Sequence, residues 1–321
     1  MRMIRESTAA SLLELDGVYD CIRHALAQQA AGRVEQSDPR SLFLKSEPHN
    51  NRYHVKGAYL MDDLVVGFRV REFTHVPARS DEMQLILLSH LETAAFLGLV
   101  SSDRISERRF GAMAALSIKT LRASGATSLA LIGAGNLARA AVEAIHAATP
   151  FESIRVASRS PASRRNLCDD MGAAGITGVA PAHSIEAACD GADVILTITN
   201  AEAELIQADW CKPGSLVVST GGRRECNPDV ILNADKVFID DWDQCVLLGD
   251  IAALHREGKF VLEDVTATLG ELIAGTHPGR ESDDERIVAI PQGLTSLDVA
   301  LANFVYRVAL EKDLGTEVEW P

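Results

Sequence analysis

"SLALIGAGNLARAAVEAIHAA", residues 128–148, decides the fold. Ser128 to Ile132 read as a buried strand, and Gly133-x-Gly135-x-x-Ala138 follows at once. Apolar residues then recur at helical spacing. The first glycine suits a tight turn, and the second lets a backbone come close to a pyrophosphate. The small Ala138 lets helix and strand pack tightly. A helix start also offers bare N–H groups and a partial positive charge to phosphates. The bland alternative is a strand–helix turn that holds nothing. The strand–turn–helix frame and a second strand, "SIRVAS" (153–158), favour a dinucleotide site.

Downstream, "PASRRNLCDDMG" reads as a helix with Pro161 in its first turn. "DVILTIT", "SLVVST" and "KVFID" read as further buried strands, with helical patterns near 183–190 and 243–256. Strands alternating with helices predict a parallel, doubly wound α/β sheet of the Rossmann type. Upstream, residues 107–125 read as one long helix ending at Gly125. Residues 40–100 hold short β-type runs with polar breaks, the pattern of an antiparallel meander. Residues 7–31 and 294–315 carry helical spacing, stopped by Gly32 and Gly315. The stretch 277–286 reads as a polar surface loop.

The bulk numbers narrow the partners. The chain has 321 residues, 47% hydrophobic and 24% charged, as expected of a globular protein with one large or two ordinary domains. A net charge of −14 argues against nucleic acid or an anionic membrane as partner. Six cysteines without a C-x-x-C pair fit reduced thiols in a cytoplasm. No His/Cys/Asp cluster has metal-ligand spacing, so no metal is expected. No stretch nears the ~18 apolar residues of a membrane span, and "MRMIRESTAASLLELDG" has no apolar core of a signal peptide.

The second strand ends in Ser158, Arg159 and Ser160. A carboxylate there would pair with the free ribose 2′-hydroxyl of NAD and repel a 2′-phosphate. Arg159 can instead grip that phosphate, with hydroxyls from Ser158 and Ser160 and a second guanidinium from Arg164. These residues predict NADP(H) in preference to NAD(H), which stays possible. The competing reading makes them ordinary surface residues, with Ser160 capping the helix.

"RRFGAMAALSIKTL", "GAGNLA", "ADKVFIDDWDQC", "TLGELIAGTHPGRESDDERIV" and "GLTSLDVALANFVYRVALEKDLGT" together resemble the ornithine cyclodeaminase/mu-crystallin family over nearly the whole chain. The C-terminal part is similar to the alanine dehydrogenase branch. The resemblance implies a homodimer, built where N-terminal strands of two subunits share a closed barrel. It implies an α+β substrate and dimerisation domain on an antiparallel sheet, residues 1–118 completed by 294–321. The Rossmann domain would then span 119–293, with substrate facing the nicotinamide in the cleft between domains. The implied chemistry is hydride transfer at a C=N bond beside a carboxylate, on a small imino or amino acid.

The resemblance also places residues. Arg40 and Arg109 match basic positions near the substrate, and either could equally be a surface ion pair. Asp250, in Gly-Asp-Ile, matches the family's catalytic aspartate, which handles a proton on the substrate amine. From the residues alone it reads as a helix N-cap. Asn136, Leu137, Thr197 and Gly293 match cofactor-side positions beside Gly133 and Gly135. Two departures stand out. Arg69 sits where the family usually has lysine; it keeps the charge but cannot shuttle a proton. Lys56, on the preceding strand, can supply the missing ammonium. Phe110 replaces a common threonine. His54 and His75 read as structural. The leading expectation is an NADPH-dependent reductase of carboxylated imines or cyclic ketimines, or the reverse amino-acid dehydrogenation, with Arg40, Arg69 and Arg109 on the carboxylate and Asp250, Lys56 or Arg69 in the chemistry. Alternatives are an ornithine- or lysine-type cyclodeaminase and a non-catalytic, mu-crystallin-like binding protein.

Overall fold

The computed structural model describes residues 1–73, 84–201 and 203–319. His75 lies outside them. The chain forms two compact units: Met1–Arg109 with Leu294–Pro321, and Phe110–Gly293.

The first unit is an eight-stranded sheet under helices. Its elements are β1 (Arg2–Ile4), α1 (Glu6–Leu12), α2 (Leu15–Ala30), β2 (Val34–Gln36), β3 (Leu42–Ser46), β4 (Asn51–Leu60), β5 (Val65–Phe73), β6 (Gln84–His90) and β7 (Phe96–Ser101). Helix α3 (Asp103–Leu121) follows, and the chain returns at its C-terminal end as the helix Thr295–Glu311 and the strand Thr316–Glu317. Strands β4 to β7 form the expected antiparallel meander. Strand β1 adds to β7 in parallel, and the last strand pairs with β1.

One face of this sheet changes character along its length. Alternation puts Leu60, Ala58, Lys56 and His54 of β4 on the same face as Val65, Gly67, Arg69 and Arg71 of β5. The apolar end of that face is fully buried, with Leu60, Val65, Ile86 and Leu88 at 0–1% exposure. Over it lies the C-terminal helix, whose buried Leu297, Val299, Leu301 and Val305 each contribute about 1.5–3 kcal/mol by leaving water. A Cβ on Gly67 would sit 2.7 Å from Val299, so only glycine admits this close approach. The other end of the face is basic.

Two expected helices differ in detail. Residues 7–31 split into α1 and α2, because the chain leaves helical geometry at Leu13, whose side chain is buried. Helix α3 starts and stops four residues earlier than the pattern 107–125. Glu6 sets its start, accepting from the N–H groups of Asp103 (3.3 Å) and Arg104 (2.8 Å). That cap lies too far away in sequence to be seen in the local pattern.

The second unit is the parallel sheet. Its strands are β8 (Ser128–Ile132), β9 (Ser153–Ala157), β10 (Val179–Pro181), β11 (Val194–Thr197), β12 (Leu216–Ser219), β13 (Lys236–Ile239), β14 (Ala267–Thr268) and β15 (Ile287–Ile290). The order is β10-β9-β8-β11-β12-β15-β13-β14, with every pairing parallel. The order reverses between β8 and β11, the point where such sheets bind ligands at their carboxyl ends. The connecting helices are α4 (Asn136–Ala148), α5 (Pro161–Ala173), α6 (Ile185–Cys189), α7 (Pro228–Leu232), α8 (Trp242–Cys245), α9 (Gly249–Arg256) and α10 (Leu269–Ile273). Strand β15, buried in the middle of the sheet, has only four apolar residues after a polar loop and gave no sequence signal. No helix among the described residues is long and apolar enough to cross a membrane.

Candidate active site

The glycine turn has the geometry of a phosphate cradle. Gly133 has φ +127, and a Cβ there would lie 2.1 Å from the carbonyl oxygen of Ile198. Its N–H donates to the Ala157 carbonyl (2.8 Å), which ties the turn to β9. Gly135 has nothing within 4 Å of where its Cβ would be, so the backbone there is open to a ligand. Gly135 is also the N-cap of α4, with Asn136 and Leu137 exposed in its first turn and Ala138 fully buried against the sheet. The residues present therefore fit a dinucleotide's phosphates at the start of α4.

The turn after β9 is ordered from within. The Ser158 hydroxyl donates to the Ser160 carbonyl (2.9 Å), and Arg164 donates to the Ser158 carbonyl (3.0 Å). Ser160 caps α5, its hydroxyl accepting from Ser163 N–H (3.2 Å), as the capping alternative had it. Arg159 is exposed on this fixed turn.

A buried carboxylate network organises the carboxyl ends of β11 and β12. Glu225 is fully buried. One oxygen accepts from the Thr199 N–H (2.8 Å) and hydroxyl (2.5 Å), the other from the Thr197 hydroxyl (2.8 Å) and Gly221 N–H (2.9 Å). Asp250 is 1% exposed. It accepts from the N–H groups of Glu225 (2.8 Å) and Cys226 (2.9 Å) and from the Ser219 hydroxyl (2.5 Å). Burial raises both carboxyls, and these donors work against it.

Three expectations take a different form here. Asp250 is not an N-cap: Leu248 holds that position, and the Asp250 carboxylate grips the 225–226 backbone instead. Thr197 is fully buried with its hydroxyl engaged by Glu225, so its side chain supports the strand end rather than facing a ligand. Gly293 (φ +97) gives its N–H to Asp240 (2.5 Å). Asp240 is itself fully buried, and burial pushes its carboxyl up to about 6.

In the first unit, Arg69 and Arg109 meet on one carboxylate the sequence reading had missed, Asp298. Arg109 donates from Nε (3.0 Å) and Arg69 from Nη1 (3.3 Å). Asp298 is 2% exposed, on the first turns of the C-terminal helix. Burial alone would raise its carboxyl; Arg109, Arg69 and Lys56 outweigh that and hold it below its ordinary value. Arg69 is further fixed by bonds from Nη2 to Gln84 and Ser106 (both 2.8 Å). Arg109 uses only Nε, and its two Nη groups carry no hydrogen bond among the described residues. Lys56 stands directly opposite Arg69 in the β4–β5 register. Arg40 instead donates to the Gln36 carbonyl (3.1 Å). An acid in a first helical turn is ordinary in sequence, which is why Asp298 gave no signal.

The sequence profile of the Ornithine cyclodeaminase/mu-crystallin family matches residues 2–313. The chain belongs to that family. Among curated relatives, the N-((2S)-2-amino-2-carboxyethyl)-L-glutamate dehydrogenase of Staphylococcus aureus is 30% identical over 72% of this chain and 70% of its own. A Delta(1)-pyrroline-2-carboxylate reductase of Bacillus cereus is 28% identical over 74% of each. Among solved structures, an archaeal alanine dehydrogenase dimer with bound NAD superposes with a TM-score of 0.90. It is 25% identical and covers 100% of this chain and 99% of its own. The family membership and the parallel sheet with its glycine turn agree with the sequence reading of the fold.

Proposed function

We propose that this protein is a nicotinamide-dependent reductase of imines that carry a carboxylate beside the C=N carbon, working in either direction and preferring NADP(H). The family's named reductases and dehydrogenases support the reaction class. The observation that carries the reading is Arg109. Its Nε is spent on a buried carboxylate, which leaves a planar pair of Nη donors aimed by that bond. Such a fork matches a substrate carboxylate in a bidentate way.

Gly133, Gly135, Asn136 and Leu137 would hold a nicotinamide dinucleotide, which when bound would supply or accept the hydride. Everything else falls to the chain. Asp298 orients Arg109 and keeps Arg69 charged and fixed. Lys56 handles the proton at the substrate nitrogen, because an ammonium can release a proton and the guanidinium of Arg69 cannot. Glu225 and Asp250 act as positioning residues that hold the 219–226 segment and the Thr199 backbone. Ser158, Arg159, Ser160 and Arg164 form the 2′-phosphate turn; Arg159 is the exposed cation on it. Phe68 (44% exposed), Leu42 (50%) and Leu44 (58%) lie on the outer face of the first unit's sheet, which suits burial against a second copy of the chain.

The test is oxidation of NADPH and NADH with pyrroline-2-carboxylate, piperideine-2-carboxylate and imines of 2-oxo acids. The reading expects turnover with NADPH favoured, and Arg159→Asp to cut that preference by about tenfold or more, as loss of one charge-assisted contact implies. Ammonia released from ornithine or lysine at constant nicotinamide absorbance would overturn it in favour of cyclodeamination.

A further inference from the structure

The C-terminal helix, Thr295–Glu311, starts without a side-chain cap of its own. Leu294 holds its N-cap position and has no polar side chain to offer. Buried first-turn N–H groups need acceptors, and here one comes from far away in sequence. Gln36, the last residue of β2, accepts the Thr295 N–H on its Oε1 (3.0 Å). That bond decides which way the amide points, because a backbone N–H can only donate. The Nε2 group therefore faces away from the Thr295 N–H, and it makes no hydrogen bond among the described residues. Beside it, Arg40 donates to the backbone carbonyl of Gln36 (3.1 Å).

The same first turn holds a further polar group without a partner. Ser296 is fully buried, and its hydroxyl makes no hydrogen bond. The helix start adds a partial positive charge. Thr295 and Asp298 stand three residues apart, so they are neighbours on one face of the helix, about 5–6 Å between Cβ atoms. Gln36 is tied to the first and Arg109 to the second.

We infer that Gln36 is a substrate-binding residue: its Nε2 donates to the same carboxylate that the Arg109 fork grips, the one beside the C=N carbon. This rests on the reductase reading and adds a residue to its anchor. An ionised carboxylate has about four lone-pair sites; the fork fills two and leaves others for an amide. The side-chain type follows from the two tasks. The helix needs an acceptor and the carboxylate needs a donor. A carboxylate side chain offers only the first, and lysine or arginine only the second; an amide offers both.

Gln36→Glu separates binding from capping. Glutamate keeps the acceptor for Thr295, and its charge suits a helix start, but an oxygen that repels a carboxylate replaces the donors. Gln36→Ala removes cap and donors together. Pyrrole-2-carboxylate, a planar and unreactive analogue of a cyclic ketimine acid, is titrated by calorimetry into the cofactor-loaded protein, and urea midpoints read stability. Gln36→Glu is expected to match the wild type in stability and to bind the analogue about tenfold more weakly or worse, the scale of one hydrogen bond to a charged group. Gln36→Ala is expected to be less stable, with an affinity between those of the wild type and Gln36→Glu. Both variants should raise KM for pyrroline-2-carboxylate more than they lower kcat. Wild-type affinity in Gln36→Glu would make Gln36 a cap alone and overturn the inference, as would wild-type affinity in Gln36→Ala or a wild-type protein that does not bind the analogue. Should no imine turn over, the reductase reading fails, and the ranking of the three proteins in analogue binding still decides the role of Gln36.

Discussion

Arg109 and Arg69 share Asp298 but differ in what they have left to offer. Arg69 is bonded on three sides, whereas Arg109 keeps its fork. Arg109→Ala should therefore raise KM for the imino acid by ~10²-fold, a loss of about 2–3 kcal/mol of charged hydrogen bonding, with little change in stability beyond the lost ion pair. Arg109→Lys should recover only part, since an ammonium lacks the fork. Steady-state kinetics on both variants checks this; unchanged KM in Arg109→Ala would remove the anchor. At this scale the sequence was legible wherever a motif fixes a role. Gly133 and Gly135 do so, because backbone geometry dictates glycine. Asp298 and Glu225 were not legible, because a buried carboxylate is defined by partners far along the chain. The residues around Asp250 offered a cap as the local alternative to its role in the chemistry, and the local pattern could not show its real partners, Ser219 and the 225–226 amides, which precede it by more than twenty residues.

At the scale of elements, the longer apolar runs of the second unit were legible, and α4 runs from Asn136 to Ala148, as the helical spacing indicates; the short strands β10, β14 and β15 were not, and the pattern 243–256 holds two helices, α8 and α9. The turns that join them depend on buried charge. Asp240, after β13, holds the Gly293 N–H after β15, and burial lifts its carboxyl to about 6. An aspartate ordinarily near 3.8 then binds more protons folded than unfolded between about pH 4 and pH 6. Its contribution to stability is present below about pH 4 and is lost as pH rises through about 6. Asp240→Asn cannot titrate, so the difference in stability between wild type and variant should shift with pH across that window and level off above it. Urea midpoints at half-unit pH steps measure this; a pH-independent difference would mean Asp240 keeps its ordinary value in the folded protein.

For the whole molecule, the outer face of the first unit's sheet carries Phe68, Leu42 and Leu44 exposed. Apolar side chains gathered on one sheet face seldom remain open to water. Phe68→Arg should shift the sedimentation profile from dimer toward monomer at micromolar concentration. A wild-type protein that sediments as a monomer would remove this face as an interface. Sequence patterning alone could mark these strands as amphipathic only weakly, because both faces hold apolar residues: one faces the helices, and the other is open.

The first unit is completed by a segment, Leu294–Pro321, that lies beyond the whole of the second unit in sequence. Asp298 follows the entire parallel sheet in order of synthesis. A ribosome therefore delivers both guanidinium groups, at 69 and 109, long before their shared counter-ion. Until residue 298 emerges, the meander has neither its covering helix nor its neutralising charge. The second unit, contiguous from 110 to 293, can fold first, and the first unit waits for the helix Thr295–Glu311.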